Sequence, residues 1–585
     1  MVRRYGVSSS LIAFLCGIAM IGWMGSPILA VADDGDPAAR IDDLELVDHY
    51  GAPVPLEQWK DAPILVVAFL GVECPLARLY GPRLNQLYEE YRDRGVMILG
   101  IDSNRQDSLK EMTAYVTRHH IGFPFLKDVG HRLADRLGAT RTPEVFVLDA
   151  HRRVRYQGRI DDQYGVGYSR YDANRSDLRN AVEALLAGRP IAVAQTPAVG
   201  CIIGRLKESK KDAGVTYYRD VAPILHRRCA GCHREGEIGP FSMLTYEDVA
   251  GWEDTILEVI DDGRMPPWNA NPEYGHFRND PRLTYEEIGM LRDWVAAGAP
   301  AGDPEEAAPL PEFVSGWQIG TPDEIIYMRD QPFDVPAEGV VDYQRFVVDP
   351  GWQEDRYVVA VEARPDNRAV VHHILVYIIP PGKGGVDLRS VLVGYAPGSL
   401  PVHYGEDVAI LVPAGSRLLF ELHYTPNGTP QRDRSYIGVR FGDPQQVKSL
   451  LQGHAVLNAR FEIPPGAAHH EVMAQQTIRD DCVLLSMTPH MHLRGKAFRY
   501  EALYPDGTKE ILLDVPRYDF NWQLKYILAE PKSLPRGTRI RCTAVYDNSE
   551  NNLVNPDPTR AVRWGDQSWE EMMIGFFDTL PTRKE

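Results

Sequence analysis

The spacing of apolar residues changes character twice along this 585-residue chain, and that restricts it to a string of separate units. Between residues 40 and 203, strands and helices alternate. Ile64–Leu70 is a short apolar strand, Arg78–Arg92 has helical spacing, and Val96–Ile101 is a second strand. Glu144–Asp149 and Val154–Gly158 suggest a hairpin, and a helix over Asp177–Ala187 stops at Gly188. Such alternation implies a sheet covered by helices. A charged linker, Lys207–Gly214, leads into 215–302, where the runs are helical: Asp220–Arg228, Asp248–Asp261 and Tyr285–Ala297, ended by Gly298 and Pro300. After a second linker, Ala301–Glu312, short β-rich runs are divided by Gly and Pro: Arg345–Val348, Tyr357–Glu362, Val370–Ile379, Ser416–Tyr424, Val483–Met487 and Arg539–Tyr546. These predict antiparallel sandwiches, one over 312–455 and one over 456–585. The total fits the roughly four domains expected at about 150 residues each.

The first residues read as an address. Arg3 and Arg4 precede an apolar run from Leu11 to Trp23, and Ala30-Val31-Ala32 offers a small-x-small cleavage site before Asp33. The apolar core is too short to span a bilayer stably, so residues 1–32 are expected to be a secretory signal peptide cut after Ala32. An uncleaved anchor is the alternative. No later run is long and apolar enough to cross a membrane, which points to a periplasmic or secreted chain with no membrane span. A net charge of −18 argues against nucleic acid or anionic lipid as a partner. Seven cysteines are too few for a disulfide scaffold.

Cys229-Ala230-Gly231-Cys232-His233 has the form C-x-x-C-H. In that motif two thiols add to the vinyl groups of haem and the histidine supplies an axial ligand to iron. The short helices around it resemble a small class I-like cytochrome c, which implies one covalent c-type haem in 215–302. Met265, in Gly263-Arg264-Met265-Pro266-Pro267-Trp268, is the expected sixth ligand, with Met243, His276 or an open position as alternatives. His226 and Met290 lie on expected helices and read as packed side chains. A redox-active or zinc-binding C-x-x-C is the competing interpretation.

Cys74-Pro75 sits where the first strand runs into a helix, a position that lowers a thiol pKa. Thr142-Pro143 precedes an apolar strand, as does the cis-proline facing the active cysteine in thioredoxin-like proteins. Residues 40–203 therefore resemble the thioredoxin and peroxiredoxin superfamily. They depart from its C-x-x-C type, because Ala77 stands at the second cysteine position. Cys201 is a candidate resolving thiol for Cys74; the alternative is an inert Cys74 in a structural or docking module.

The histidines of the last third are ordered. His372-His373 lies in an apolar run, His423 follows in Glu421-Leu422-His423-Tyr424, then His490-Met491-His492, and Met572-Met573 near the end. An H-x-H pair on a strand projects both imidazoles from one face. A thioether beside two imidazoles favours copper over zinc. In this order the motifs resemble the copper type II ascorbate-dependent monooxygenases, the family of peptidylglycine α-hydroxylating monooxygenase and dopamine β-monooxygenase. The resemblance covers roughly 312–585 and implies two jelly-roll-like copper domains. It implies that His372, His373 and His423 hold an electron-supplying copper, and that His490, His492 and Met572 hold the copper that binds dioxygen, with Met573 as an alternative to Met572. Cys482 and Cys542 are candidates for a disulfide. The family's usual pairing uses a cysteine just after the copper methionine, where this chain has Met573. In the peptide-amidating members an arginine two residues before H-x-H and a tyrosine four after the methionine hold a substrate carboxylate. Here these are Thr488 and Phe576, which turns the expectation toward a more apolar or neutral organic substrate. His403, His454, His469 and His470 have no family role and read as surface or loop residues.

The expected function is C–H hydroxylation with dioxygen, two copper ions and an unknown small organic substrate. Electrons would arrive from an external donor (a cytochrome, a quinol-linked protein or an ascorbate-like reductant) through the chain's own haem. The alternatives are a non-enzymatic electron-transfer or copper-handling protein, and a thiol peroxidase centred on Cys74.

Overall fold

The computed structural model describes residues 41–582, except 171, 206, 211–212, 315, 399–400 and 404. The signal segment and its cleavage site lie outside the described residues. Among the described residues, no helix is long and apolar enough to cross a membrane.

The first unit is a thioredoxin-like α/β layer structure. Its seven-stranded sheet runs, edge to edge, Pro53–Pro55, Glu45–Asp48, Phe125–Lys127, Val96–Asp102, Ile64–Phe69, Glu144–Leu148, Val154–Gly158. Ile64–Phe69 and Val96–Asp102 are parallel, Glu144–Leu148 antiparallel. Ile64–Phe69 is buried along its whole length, because helices cover both faces of a central strand. One face packs against the helices Pro75–Tyr91 and Asp177–Leu186, the other against Arg132–Leu137. The helix expected from Arg78 begins at Pro75: Cys74 is its N-cap, and proline at the first helical position costs no hydrogen bond.

The helical segment departs from its expected outline. The stretch expected as one helix over Asp248–Asp261 is two, Tyr246–Val249 and Glu253–Asp261, broken around Gly251, whose φ is +105°. Gly251 also lies against Gln106 of the first unit, where a Cβ would come within 2.4 Å of its side chain. Ala222–Arg228, Glu253–Asp261 and Tyr285–Ala296 share a core around Trp294, Tyr217 and Met243. Between Met265 and Leu283 the chain leaves that core: Trp268, Ala270 and Phe277 are buried with the C-terminal sheets instead, and Phe277 bridges to Leu528.

The remainder is antiparallel β-structure in two units of packed sheets. In one, Gln344–Val348, Arg417–Tyr424, Val371–Ile379 and Val391–Tyr395 face a second sheet built around Arg356–Arg364. In the other, Gln452–Leu457, Ile574–Pro581, Cys482–His490 and Tyr526–Leu534 face His470–Thr477, Arg539–Tyr546, Gly495–Leu503 and Lys509–Val515 across one core.

Candidate functional sites: a buried dithiol and an imidazole cleft

Cys74 and Cys201, 127 positions apart in sequence, meet. The short strand Cys201–Ile202 pairs antiparallel with Arg141–Thr142, placing Cys201 opposite Thr142, just before the cis Thr142–Pro143 bond. In its protonated form the Cys74 thiol donates to the Thr142 carbonyl at 3.0 Å, and the side chain is 1% exposed. Burial by itself raises the Cys74 pKa. Hydrogen bonds from the Cys201 thiol, from the Ala77 and Cys201 amides and from Thr142 outweigh it and hold Cys74 down at about 6. The same hydrogen bond to Cys74, with burial, pushes Cys201 up. One thiol is thus the thiolate and the other its proton-bearing partner, the division of roles thiol–disulfide exchange requires. The pair lies at a seam: Ile202 donates to Thr255 Oγ1 at 3.3 Å, and Arg141 bonds both the Gly200 carbonyl and Glu258 of the helical segment.

Cys229 caps the helix Ala222–Arg228, and both C-x-x-C-H cysteines are free thiols. Burial raises both, Cys229 to about 12, so neither is prepared as a nucleophilic thiolate in the manner of Cys74. His233 directs Nδ1 at the Phe241 carbonyl (3.2 Å), which leaves Nε2 for an axial bond. Phe241 in turn stacks on Trp252 at 4.1 Å. These residues fit a covalent haem. Met243 is buried in the helical core with its amide on the His233 carbonyl (3.0 Å). Met265, the expected sixth ligand, is half-buried where the chain turns toward the C-terminal sheets, its amide on Val259.

The cleft between the two β-units collects all six histidine and methionine positions singled out in sequence. His372, His373 and His423 form a cluster whose ligand nitrogens lie within 4.8 Å of one another. Adjacent strand residues ordinarily point to opposite faces. Here Val371 pairs with Tyr424 and His373 with His423, so His372 is the extra residue of a β-bulge and turns to the same side as His373. The Nδ1 atoms converge: His372 is 3.1 Å from His373 and 3.3 Å from His423. Burial holds all three imidazoles low, His372 at about 4, so they are neutral with lone pairs available. His372 Nε2 and His373 Nε2 are buried without a hydrogen-bond partner. Three neutral imidazoles that each turn one ring nitrogen to a common point fit a bound cation.

His490 ends its strand, and His492 lies in the turn beyond it. The two do not therefore share a strand face, as the spacing had suggested; the turn brings the rings to 5.2 Å at right angles. Gln523 holds His490 Nδ1 (2.6 Å) and the Glu570 carbonyl holds His492 Nδ1 (3.3 Å), leaving both Nε2 atoms free. Burial lowers His490 and takes His492 down to about 3. Met572 lines the cleft beside them, whereas Met573 is wholly buried in the sheet core. Buried Glu571 accepts from the His492 and Arg494 amides and fixes the turn; burial raises its carboxyl to about 8.

Two side chains that sequence reasoning missed separate the histidine sets. Tyr343 stacks on His423 at 5.0 Å and lies 6.3 Å from His492. Phe520 stacks on His372 at 5.3 Å and lies 6.1 Å from His492. Both lie in loops outside the histidine motifs, and nothing in their spacing signals the cleft. A cavity of about 220 Å³ opens there, lined by Tyr343, His373, His490, His492, Met572 and Phe576 among others.

The remaining expectations separate. Cys482 and Cys542 are free and belong to opposite sheets. Cys482 pairs with Pro581, while Cys542 Sγ lies under Gly575, six residues back along the same strand, roughly 20 Å at 3.3 Å per residue. That separation excludes a disulfide. His454 is not a surface residue: it stacks on Phe577 at 4.5 Å and bonds Thr579. His403 and His469 are exposed beside Glu406 and Glu471.

Comparison with known proteins bears on the first unit. Residues 37–157 match the AhpC/TSA family. Thiol-disulfide oxidoreductase ResA of Halalkalibacterium halodurans is 27% identical over 86 residues, 15% of this chain and 48% of that protein. The protein of the same name from Bacillus anthracis is 25% identical over 109 residues, 19% of this chain and 61% of that one. Chloroplastic peroxiredoxin Q of Sedum lineare is 26% identical over 111 residues, 18% and 58% respectively. The chain thus spans about half the length of the curated relatives it matches. Among solved structures, a hypothetical protein of Sinorhizobium meliloti 1021 is 34% identical with a TM-score of 0.27, over 30% of this chain and 96% of that one. A secreted Mycobacterium tuberculosis disulfide oxidoreductase homologous to E. coli DsbE is 15% identical with a TM-score of 0.20, over 25% and 96%. The first unit is an AhpC/TSA-type thioredoxin-like domain.

Proposed function

We propose that this chain is a periplasmic or secreted oxidoreductase whose main chemistry is copper-dependent hydroxylation of a C–H bond in the cleft between the two β-units. The observation that carries this reading is the convergence of three neutral imidazoles facing a second His-His-Met set across one cavity. Two copper ions, when bound, would supply the dioxygen site and the two electrons that hydroxylation consumes. His372, His373 and His423 would hold one ion. His490, His492 and Met572 would hold the other, a softer set with a thioether. The chain itself orients these ligands. Gln523 and the Glu570 carbonyl fix the ring planes of His490 and His492, and Glu571 holds their turn through two backbone amides. Ile574, Phe576 and Leu375 give the cavity an apolar wall suited to an uncharged organic substrate. Cys229, Cys232 and His233 would hold a haem that stores single electrons from an external donor.

Copper content decides the reading. The reconstituted chain should hold two ions, His373→Ala and Met572→Ala one each, and His490→Ala should abolish copper-dependent oxygen uptake. A chain that binds no copper, or consumes oxygen equally without it, would overturn the proposal.

A second reading, thiol peroxidase or thiol–disulfide chemistry at Cys74, is favoured by the contact with Cys201. It is also the reading to which the AhpC/TSA match and the ResA and peroxiredoxin Q relatives speak. Peroxide turnover lost in Cys74→Ser but indifferent to copper removal would establish it as an activity of its own.

A further inference from the structure

The C-x-x-C-H segment is held against the β-unit that carries the three-imidazole cluster. Glu237, four residues after His233, forms ion pairs with Arg234 of its own segment (2.9 Å) and with Arg368 of the β-unit. All three side chains are largely buried, at 17–23% exposure. Arg234 also lies over the ring of Phe313, 4.2 Å from its centroid. Arg368 sits in the turn leading into Val371–Ile379, the strand of His372 and His373. That turn is rigid: the amides of Asp366 and Asn367 bond the buried carboxylate of Asp433, and those of Val370 and Val371 bond the Asn367 carbonyl. Beside it, Tyr395 ends the neighbouring strand opposite Ile374, the residue after His373. The Tyr395 Cα is therefore about 6 Å from that of His373, one cross-strand step and one residue along the strand at right angles to it.

We propose that the Glu237–Arg368 contact is the electron entry to the three-imidazole centre, seating the C-x-x-C-H segment against the turn that leads into the strand of His372 and His373. Four residues separate Arg368 from His372, at most about 14 Å of chain. Arg368 and Glu237 are positioning residues that fix this approach. With both groups bound, His233 would hold the haem and His372, His373 and His423 a copper ion, and the step these residues support would be the passage of one electron from ferrous haem to cupric ion, with no proton moved and no bond broken. This inference rests on the copper reading of the cleft and adds its reductant.

Three measurements on the full-length chain test it. In the haem-free, copper-free chain, Arg368→Glu should increase maleimide labelling of Cys232 at least tenfold, and the exchanged pair Glu237→Arg/Arg368→Glu should restore slow labelling. In the loaded chain, pulsed EPR should find a ferric haem and a cupric ion within roughly 20 Å of each other. Anaerobic haem reoxidation by bound copper should slow at least tenfold in Arg368→Glu, with haem spectrum and copper content unchanged, and recover in the exchanged pair. Unchanged labelling and reoxidation in Arg368→Glu, or no recovery in the exchanged pair, would overturn the proposal. Oxygen uptake driven by ascorbate, which can reach the copper without the haem, separates the two ideas. If the native chain shows none, the copper reading fails; if it shows copper-dependent uptake while Arg368→Glu reoxidises at the native rate, only the entry route fails.

Discussion

His492 illustrates how burial keeps an imidazole neutral. It is 1% exposed and holds a pKa of about 3, so the folded chain refuses a proton that the unfolded chain takes near 6.5. Between those values the unfolded state binds more protons. The metal-free chain should therefore keep its full stability above about pH 6.5 and lose it as pH falls toward 3. A depression of that size is worth on the order of 5 kcal/mol. Thermal melts of the metal-free chain should fall steeply over this window and fall less in His492→Phe; a flat profile would mean the imidazole is not neutral by burial. Cys74 is displaced in the same direction but with the opposite chemical result, since lowering a thiol pKa creates the nucleophile. Its oxidation by hydrogen peroxide should rise with pH through an inflection near 6. In Cys201→Ser that inflection should move up by a unit or more, and an unmoved inflection would deny Cys201 its role.

At the scale of elements, single backbone features decide which side chains meet. The bulge at His372 turns two consecutive histidines to one face, which alternation alone forbids. Gly200 does comparable work for the dithiol. Its φ is +146°, and a Cβ there would lie 2.0 Å from the Thr142 carbonyl oxygen. Gly200→Ala should push the Cys201 strand away from Arg141–Thr142, and peroxide should then fail to link Cys74 to Cys201, as read by mass of the alkylated peptides. A disulfide formed at the native rate would contradict that placement. Gly575 is as tight, with a Cβ at 2.4 Å from Cys542 Sγ and 3.0 Å from Tyr500. Gly575→Ala should cost roughly 1–3 kcal/mol by overpacking, seen as a lower melting temperature of the C-terminal unit.

Across the whole molecule, the cleft exists because the β-units are tied together. Arg345 bonds Glu421 of its own unit (2.6 Å) and Asp566 of the other (3.0 Å), and the Tyr343 amide reaches Gln567. Glu421 is largely buried, and burial raises its carboxyl despite Arg345. Arg345→Ala should leave that carboxyl unpaired, at a cost of about 1–2 kcal/mol for a half-exposed guanidinium. Amide exchange over 564–572 should then quicken by at least fivefold; unchanged exchange would show that other contacts hold the cleft. The helical segment sits between the seams, touching the dithiol through Thr255 and Glu258 and the imidazole strand through Glu237.

Much of the local structure was legible in the residues. Apolar runs located the central strands of the first unit to within a residue or two, and Cys74-Pro75 marked a helix start because proline in the first turn loses no hydrogen bond. The histidines and methionines of the last third were visible as a series, and six of them gather at one cleft. Covalent motifs and periodicity are local properties, so a single sequence carries them. The meeting of Cys74 with Cys201, the failure of Cys482 to meet Cys542, the insertion of Tyr343 and Phe520 between the histidine sets, and the departure of Trp268 to another unit's core were decided only in the tertiary structure. Each depends on register, on a bulge or on packing between segments more than a hundred residues apart, and no local pattern records those. The sequence by itself determined which chemical groups this protein owns; folding decided which of them share a site.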